Sequence, residues 1–228
     1  MAPQRNHPQG VGGPLGRVLQ GFTHEVKLVR SGLTGRNRRR CAAPPSGYSD
    51  PVIADSVRLA LPAEAAAIAA LQRRSWVEDY PSALADELLS SADLAAMTSS
   101  WENAIVRPPL AQFRVLVAIG SERLVGFAAI GPSDDPDADA SADALVAEFT
   151  IDPQARHSGH GSRLVNAVAD TLRADGFTRA TWWVRSTDDG LRDFLVSAGW
   201  AADGAHTEVA MSADGPRLKL VRLHTTLG

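Results

Sequence analysis

A single cysteine, Cys41, stands in 228 residues, so the chain can form neither an internal disulfide nor a multi-cysteine metal site. Cys41 sits in a polar segment, where an incidental thiol is the simpler reading than a nucleophile. Long apolar runs are also missing. No stretch approaches the roughly 20 consecutive apolar residues that a membrane span requires, and none follows the basic start as a secretory signal would need. A cytoplasmic location, with no membrane partner, is the expectation. No glycine-rich stretch ends in the lysine of a Walker loop, and no period of 20–50 residues repeats. With 44% hydrophobic and 21% charged residues, the chain can bury the core of one main domain.

The net charge of -3 hides an asymmetry. Residues 1–50 carry eight Lys or Arg against two Asp or Glu, while the rest holds 15 basic and 24 acidic residues. The acidic remainder offers no electrostatic footprint for nucleic acid, so such a role would belong to the first 50 residues. These contain thirteen Gly or Pro and the run Arg36-Asn37-Arg38-Arg39-Arg40, with scattered apolar residues. They are expected to be a disordered basic extension. A nucleic-acid or membrane-surface arm, a transit peptide, a solvated tail and an upstream start site are the readings its composition leaves open.

From Ser56 the pattern becomes regular, and a folded domain is expected over 56–228. A short strand over 57–60 precedes Pro62, which suits the first turn of an Ala-rich helix reaching about Trp76. A second helical stretch covers about 83–105. Strands over 113–119 and 124–130 flank a Gly120-Ser121-Glu122 turn, and an Asp-rich loop, 132–143, leads to a strand over 145–151. A helix over about 161–175 stops at Gly176. A strand at 180–185, a helix at about 188–198 and strands near 207–211 and 218–223 complete the order, the last two around an Asp214-Gly215 turn. The fold class is mixed α/β, a largely antiparallel central sheet flanked by helices, with ligand sites expected where a strand runs into a crossover helix.

The segment Ile151-Asp152-Pro153-Gln154-Ala155-Arg156-His157-Ser158-Gly159-His160-Gly161-Ser162 has that placement. The first turn of a helix exposes unpaired N–H groups at the positive end of the macrodipole, and small residues let phosphate oxygens approach them. A dinucleotide fingerprint would need a third Gly or Ala at position 164, which is Leu164. His157 and His160 lack a defined metal-ligand set, and the loop Asp134-Asp135-Pro136-Asp137-Ala138-Asp139 has Val146 where a calcium loop has its glutamate. No metal is expected. That acidic loop reads as solvated or, if functional, as drawing a cationic amine toward a nearby site.

Arg156-His157-Ser158-Gly159-His160-Gly161, after a strand ending in aliphatic-x-Pro, resembles motif A of the GNAT superfamily of acyl-CoA-dependent N-acyltransferases, Arg/Gln-x-x-Gly-x-Gly/Ala. Trp183-Val184, Asp188, Phe194 and Gly199-Trp200 continue the resemblance in register, over about three-quarters of the chain. The resemblance implies a GNAT-like fold and an N-acetyltransferase whose donor is acetyl-CoA. Backbone N–H groups of Arg156, His157, Ser158, Gly159, His160 and Gly161, with Ser162, would hold the pyrophosphate. The strand over 145–151 would splay from its neighbour, and the pantetheine arm would lie along Phe149, Thr150 and Ile151, where a backbone N–H polarises the thioester carbonyl. Asp188 takes the place of an Asn that contacts the arm, but an ionised carboxylate only accepts hydrogen bonds.

The acceptor would be a primary amine on a small molecule or peptide, attacking directly, with the enzyme a monomer or a homodimer. The family's tyrosine acid is replaced by Leu195, and its two glutamate positions by Leu145 and Trp183. Glu148 is the candidate base, although simple alternation places it opposite Leu145, Ala147 and Phe149 unless a β-bulge intervenes. His206 and Glu208 are weaker candidates, and Tyr80 lies in the region that forms the acceptor side in the family. With the three proton-transfer positions apolar, an acyl-CoA-binding module with little or no transferase activity is the alternative reading.

Overall fold

The structure, a computed structural model, describes residues 55–210 and 217–228. Cys41, the arginine-rich run and the Asp214-Gly215 turn lie outside the described residues.

Strand β1 (Ser56–Leu59) leads into a 3₁₀ turn at Pro62–Glu64 and helix α1 (Ala65–Asp79). Glu64 ties this start down by accepting from the Leu61 N–H at 2.7 Å and pairing with Arg58. The helical stretch expected over 83–105 is two helices, α2 (Ser82–Ser91) and α3 (Leu94–Val106). Asp93 is the reason. Its carboxylate accepts from the N–H groups of Ala95 and Ala96 at 2.8 and 2.9 Å, satisfying donors that a continuous helix would have bonded internally.

Strands β2 (Arg114–Gly120) and β3 (Arg123–Pro132) form the expected hairpin. Ser121 and Glu122 both hold positive φ, 48° and 63°, the two-residue turn whose twist matches the strands. After β4 (Asp143–Ile151) come a 3₁₀ turn at Pro153–Ala155 and α4 (His160–Ala174), which ends with Gly176 at φ 91° and a Phe177 N–H to Leu172 carbonyl bond. β5 (Arg179–Arg185), α5 (Asp189–Ser197), β6 (Ala201–Ala210) and β7 (Arg217–Thr226) complete the chain. β6 begins six residues before the expected 207. Its first half, Ala201 to Gly204, is exposed and has no alternating apolar signal.

The seven strands form one sheet in the order β1-β2-β3-β4-β5-β7-β6. Every pairing is antiparallel except β4 with β5. Helix α4 makes the crossover between these two and packs Leu164, Val165, Val168 and Leu172 onto one sheet face, against Leu116, Ile130, Val146 and Trp182. The opposite face, with Val117, Phe127 and Ala129, carries α1 and α3 through Ile68, Leu71, Trp76 and Trp101. Among the described residues no helix is long and apolar enough to cross a membrane.

Candidate functional site

β4 and β5 pair only from Asp143 to Val146, against Arg179 to Trp182. From Ala147 onward the edge of β4 leaves β5, and a cleft of about 860 Å³ opens between the strands, closed by the end of α1, the 134–137 loop and part of β6. The divergence coincides with an irregularity in β4. Glu148 pairs with Ala129 of β3 and Val146 with Ile130, so Ala147 is an extra residue, a β-bulge.

The bulge decides which face Glu148 occupies. Without it, Glu148 would share a face with Val146 and point at α4. With it, Glu148 and Thr150 join Leu145 on the side of α1, while Phe149 and Ile151 pack into the α4-side core. Strict alternation therefore misplaces this residue, and the structure puts it in the cleft wall. Burial of the carboxyl raises the Glu148 pKa from 4.5 to about 7, with the nearby Gln72 amide acting in the opposite direction. Tyr80, just after α1, lines the same cleft beneath the Arg185 guanidinium, 4.7 Å from its ring. Burial first, then the Glu148 charge, pushes the Tyr80 phenol well above its ordinary range, so it stays protonated.

At two of the other expected acid and base positions, Leu195 and Trp183, the side chain carries no titratable group. Leu195 is fully buried in the α4-side core. Trp183 donates its indole N–H to Asp135 at 3.0 Å and lines the cleft. His206 is exposed on β6, and Glu208 borders the cleft 3.8 Å from Arg217.

At the end of β4 the glycine loop is backbone-rich. Arg156, His157, Ser158 and Gly159 are exposed, His157 and Gly159 hold φ of 60° and 82°, and Gly159 is the N-cap of α4. Gly161 and Ser162 follow in its first turn, with N–H groups that have no earlier helical partner. A side chain on Gly161 would meet only Phe194 and Ile151 at ordinary contact distance, so the approach to this turn is open. The His160 side chain turns inward instead. It is buried against Gly120, where a Cβ would come within 2.5 Å of the imidazole. Arg156 donates to the Ile151 carbonyl at 3.3 Å and pairs with Asp79 at 2.8 Å, joining the loop to α1. Asp188 caps α5 through the Leu191 N–H at 3.1 Å and pairs with Arg185 at 2.6 Å. The loop thus places the free N–H groups of a helix start next to an unpaired strand edge, an arrangement with the chemistry to hold an anion. Among the described residues no group of three or more His, Cys, Asp or Glu could hold a metal ion.

The Asp-rich loop is anchored rather than merely solvated, through a residue the sequence reading did not single out. Arg222 of β7, 6% exposed, contacts Asp137 at 2.6 Å, Asp203 at 2.7 Å and Asp135 at 3.2 Å, and lies over Trp183. The irregularity in β6 after Ala202 brings Asp203 to it. The Arg222 hydrogen bonds hold the Asp137 carboxyl at about 2, below its ordinary 3.8. A depressed carboxylate contributes stability that is fully present above 3.8 and is lost as pH falls through 2. Arg222→Met should lower the melting temperature by about 5 °C or more at pH 7, because it leaves clustered carboxylates without their buried cation. The deficit should shrink as pH falls toward 2. A deficit independent of pH would assign the effect to packing alone.

Residues 66–200 match the model of the Acetyltransferase (GNAT) family. None of the curated proteins is significantly similar in sequence. Several solved structures share the fold. The ribosomal-protein-alanine N-acetyltransferase of Brucella melitensis is 21% identical with a TM-score of 0.60, over 75% of this chain and 99% of that one. The protein yncA of Salmonella typhimurium, solved with its cofactor acetyl-CoA, is 18% identical with a TM-score of 0.60, over 76% and 94%. The PaiA N-acetyltransferase of Thermoplasma acidophilum, in complex with coenzyme A, is 14% identical with a TM-score of 0.58, over 76% and 99%. With more than half its length matched, and with a splayed β4–β5 pair beside a glycine loop, the chain belongs to the GNAT family of acetyltransferases.

Proposed function

We propose that residues 56–228 form an N-acetyltransferase domain that moves an acetyl group from acetyl-CoA to a primary amine of a small molecule or peptide by direct attack. The observation that carries this reading is the bulge at Ala147, which brings a carboxylate with a pKa of about 7 into the cleft beside the unpaired edge of β4. Such a group is half ionised near neutral pH, the condition in which a general base is most effective.

Acetyl-CoA supplies an activated thioester carbonyl, and the rest follows from residues of this chain. The backbone from Arg156 to Gly161, with Ser162, takes the pyrophosphate at the start of α4. The arm runs along Phe149, Thr150 and Ile151, where β4 has no strand partner on the β5 side. A β4 backbone N–H there stabilises negative charge developing on the carbonyl oxygen. The Asp188 carboxylate accepts along this path, and its partner Arg185 provides donors that the carboxylate lacks. Glu148 takes the proton that the attacking amine loses as the C–N bond forms, and the C–S bond breaks to release coenzyme A as a thiolate, which takes its proton from water. The acceptor enters past Trp183 and the anchored acidic loop, where negative charge favours a cationic amine before it is deprotonated. The cytoplasm, where acetyl-CoA is abundant and thiols stay reduced, is the proposed location.

The test is thiol release from acetyl-CoA by the full chain, measured across an amine library that includes diamines and peptides with free N-termini. Amine-dependent release is expected, rising with pH through about 7. Saturable acetyl-CoA binding with no release for any amine would replace this reading with an acyl-CoA-binding module.

A further inference from the structure

Trp182 is the last residue of β5 to pair with β4, through Val146, which makes Trp183 the first residue beyond the fork. Trp182 packs into the α4-side core, so alternation turns Trp183 to the α1 side, the side that Glu148 occupies. An amine brought to the fork beside Glu148 therefore has the indole as its neighbouring wall. The indole is held in place. Its N–H donates to both Asp135 oxygens, at 3.0 and 3.1 Å, and the Arg222 guanidinium lies 5.5 Å from its ring centroid. With its one donor engaged, the side chain offers the cleft its apolar ring alone. The wall continues in kind. Leu145 shares this side of β4, and its partner on β3 is Gly131, where a Cβ would collide with the Phe113 ring. The missing side chain seats Phe113 on β3 beside Leu145, and both residues line the cleft.

The carboxylates next to this wall are already engaged. All four oxygens of Asp135 and Asp137 accept hydrogen bonds from Trp183 or Arg222. The loop keeps a negative field that draws an ammonium group in, but a second ammonium would have to compete with the buried Arg222 for these oxygens. Asp134 and Glu208, which also border the cleft, are exposed to water, where an ion pair contributes little. We propose that Trp183 is a specificity-determining residue, and that with Leu145 and Phe113 it selects a primary amine carrying an aromatic or comparably bulky apolar group, in preference to a diamine. The proposal rests on the acetyl-transfer reading and narrows its acceptor class. It also gives the Asp135–Arg222 anchor a second consequence, because the anchor fixes the indole that the acceptor meets.

The test compares phenethylamine, methoxyethylamine and putrescine as acceptors for the full chain. kcat/KM for phenethylamine should exceed that for either of the others by about tenfold or more, the discrimination that burial of an apolar group supplies. Trp183→Phe keeps an apolar ring and should hold this ratio within about threefold. Trp183→Ala should erase most of it, chiefly by raising the KM for phenethylamine, while methoxyethylamine, too small to cover the ring, changes by less than about threefold. Equal rates with the amines, or a preference for putrescine, overturn the proposal, the second result assigning the acceptor site to Asp134 and Glu208. A ratio that survives in folded Trp183→Ala overturns it as well. If that variant does not fold, a ratio that survives in Trp183→Gln does so instead. Calorimetric binding of phenethylamine to the protein saturated with coenzyme A separates the two levels. Thiol release without preference among the amines removes the acceptor class and leaves acetyl transfer standing. Binding that depends on Trp183, with no thiol release from any amine, removes acetyl transfer and leaves the ligand class standing. Neither binding nor release overturns both.

Discussion

Glu148→Gln should lower kcat/KM at pH 7 by about a hundredfold or more, the range a positioned general base contributes. The acid limb near pH 7 should disappear with it. A second limb, from ionisation of the amine itself, should remain at higher pH in both proteins, because the free amine titrates near 10 in the manner of a lysine. Acetyl-CoA affinity should not change, since Glu148 faces the α1 side of β4 whereas Phe149 and Ile151 face away from it. A variant with wild-type rate and an unchanged limb would exclude this carboxylate from proton transfer.

The same substitution carries an opposite prediction for stability. The folded protein raises the Glu148 pKa from 4.5 to about 7, so between these values it holds a proton that the unfolded chain has released. Stability therefore falls as pH rises through that window, by roughly 3 kcal/mol at most. Glutamine has the shape of the protonated acid and no charge to desolvate. Glu148→Gln should melt within a degree or so of the wild type near pH 4.5 and about 5 °C higher at pH 8. Loss of activity together with gain of stability is the pattern of a group held at a site for its chemistry. A purely structural glutamate would lose stability on substitution at every pH.

The order of strands and helices could be read from periodicity because each element has one buried and one open face. Leu164, Val165, Val168 and Leu172 mark the packed face of α4, and Ser121-Glu122 marks a hairpin even without glycine at its centre. The glycine loop was readable for a related reason: Gly159 and Gly161 mark a helix start whose backbone is open to approach. Features set by a single register error or a distant partner were not readable. Nothing in Ala144-Leu145-Val146-Ala147-Glu148 reports that Ala147 is the inserted residue, because the bulge is defined only against Ala129 and Ile130 of β3. The anchor of the acidic loop lies 85 residues from Asp137, on an alternating strand in which an arginine looks like an ordinary outward residue. One signal was present but unused. Gln72 and Ser75 interrupt the buried stripe of α1, and a polar residue on an apolar helix face calls for a partner in the core.

The cofactor loop yields the other large expected effect. Gly159→Glu should weaken acetyl-CoA binding by about a hundredfold or more, because it puts a carboxylate where the α4 turn would receive a pyrophosphate. The substitution has room in the protein itself. A Cβ at Gly159 would meet nothing closer than the Arg163 guanidinium at 3.6 Å, so the main internal effect is the left-handed backbone, φ 82°, which a side chain tolerates at about 1–2 kcal/mol. Gly159→Ala carries that strain without the charge and should reduce affinity less than about tenfold. A second comparison isolates the phosphate contact. Acetyl-pantetheine shares the arm and the thioester but has no pyrophosphate, so its weaker binding to the wild type should be nearly unchanged in Gly159→Glu. If both ligands lose affinity equally, the variant has disturbed β4 rather than the cradle. If neither does, the pyrophosphate is held elsewhere and the turn at Gly159 serves only to start α4.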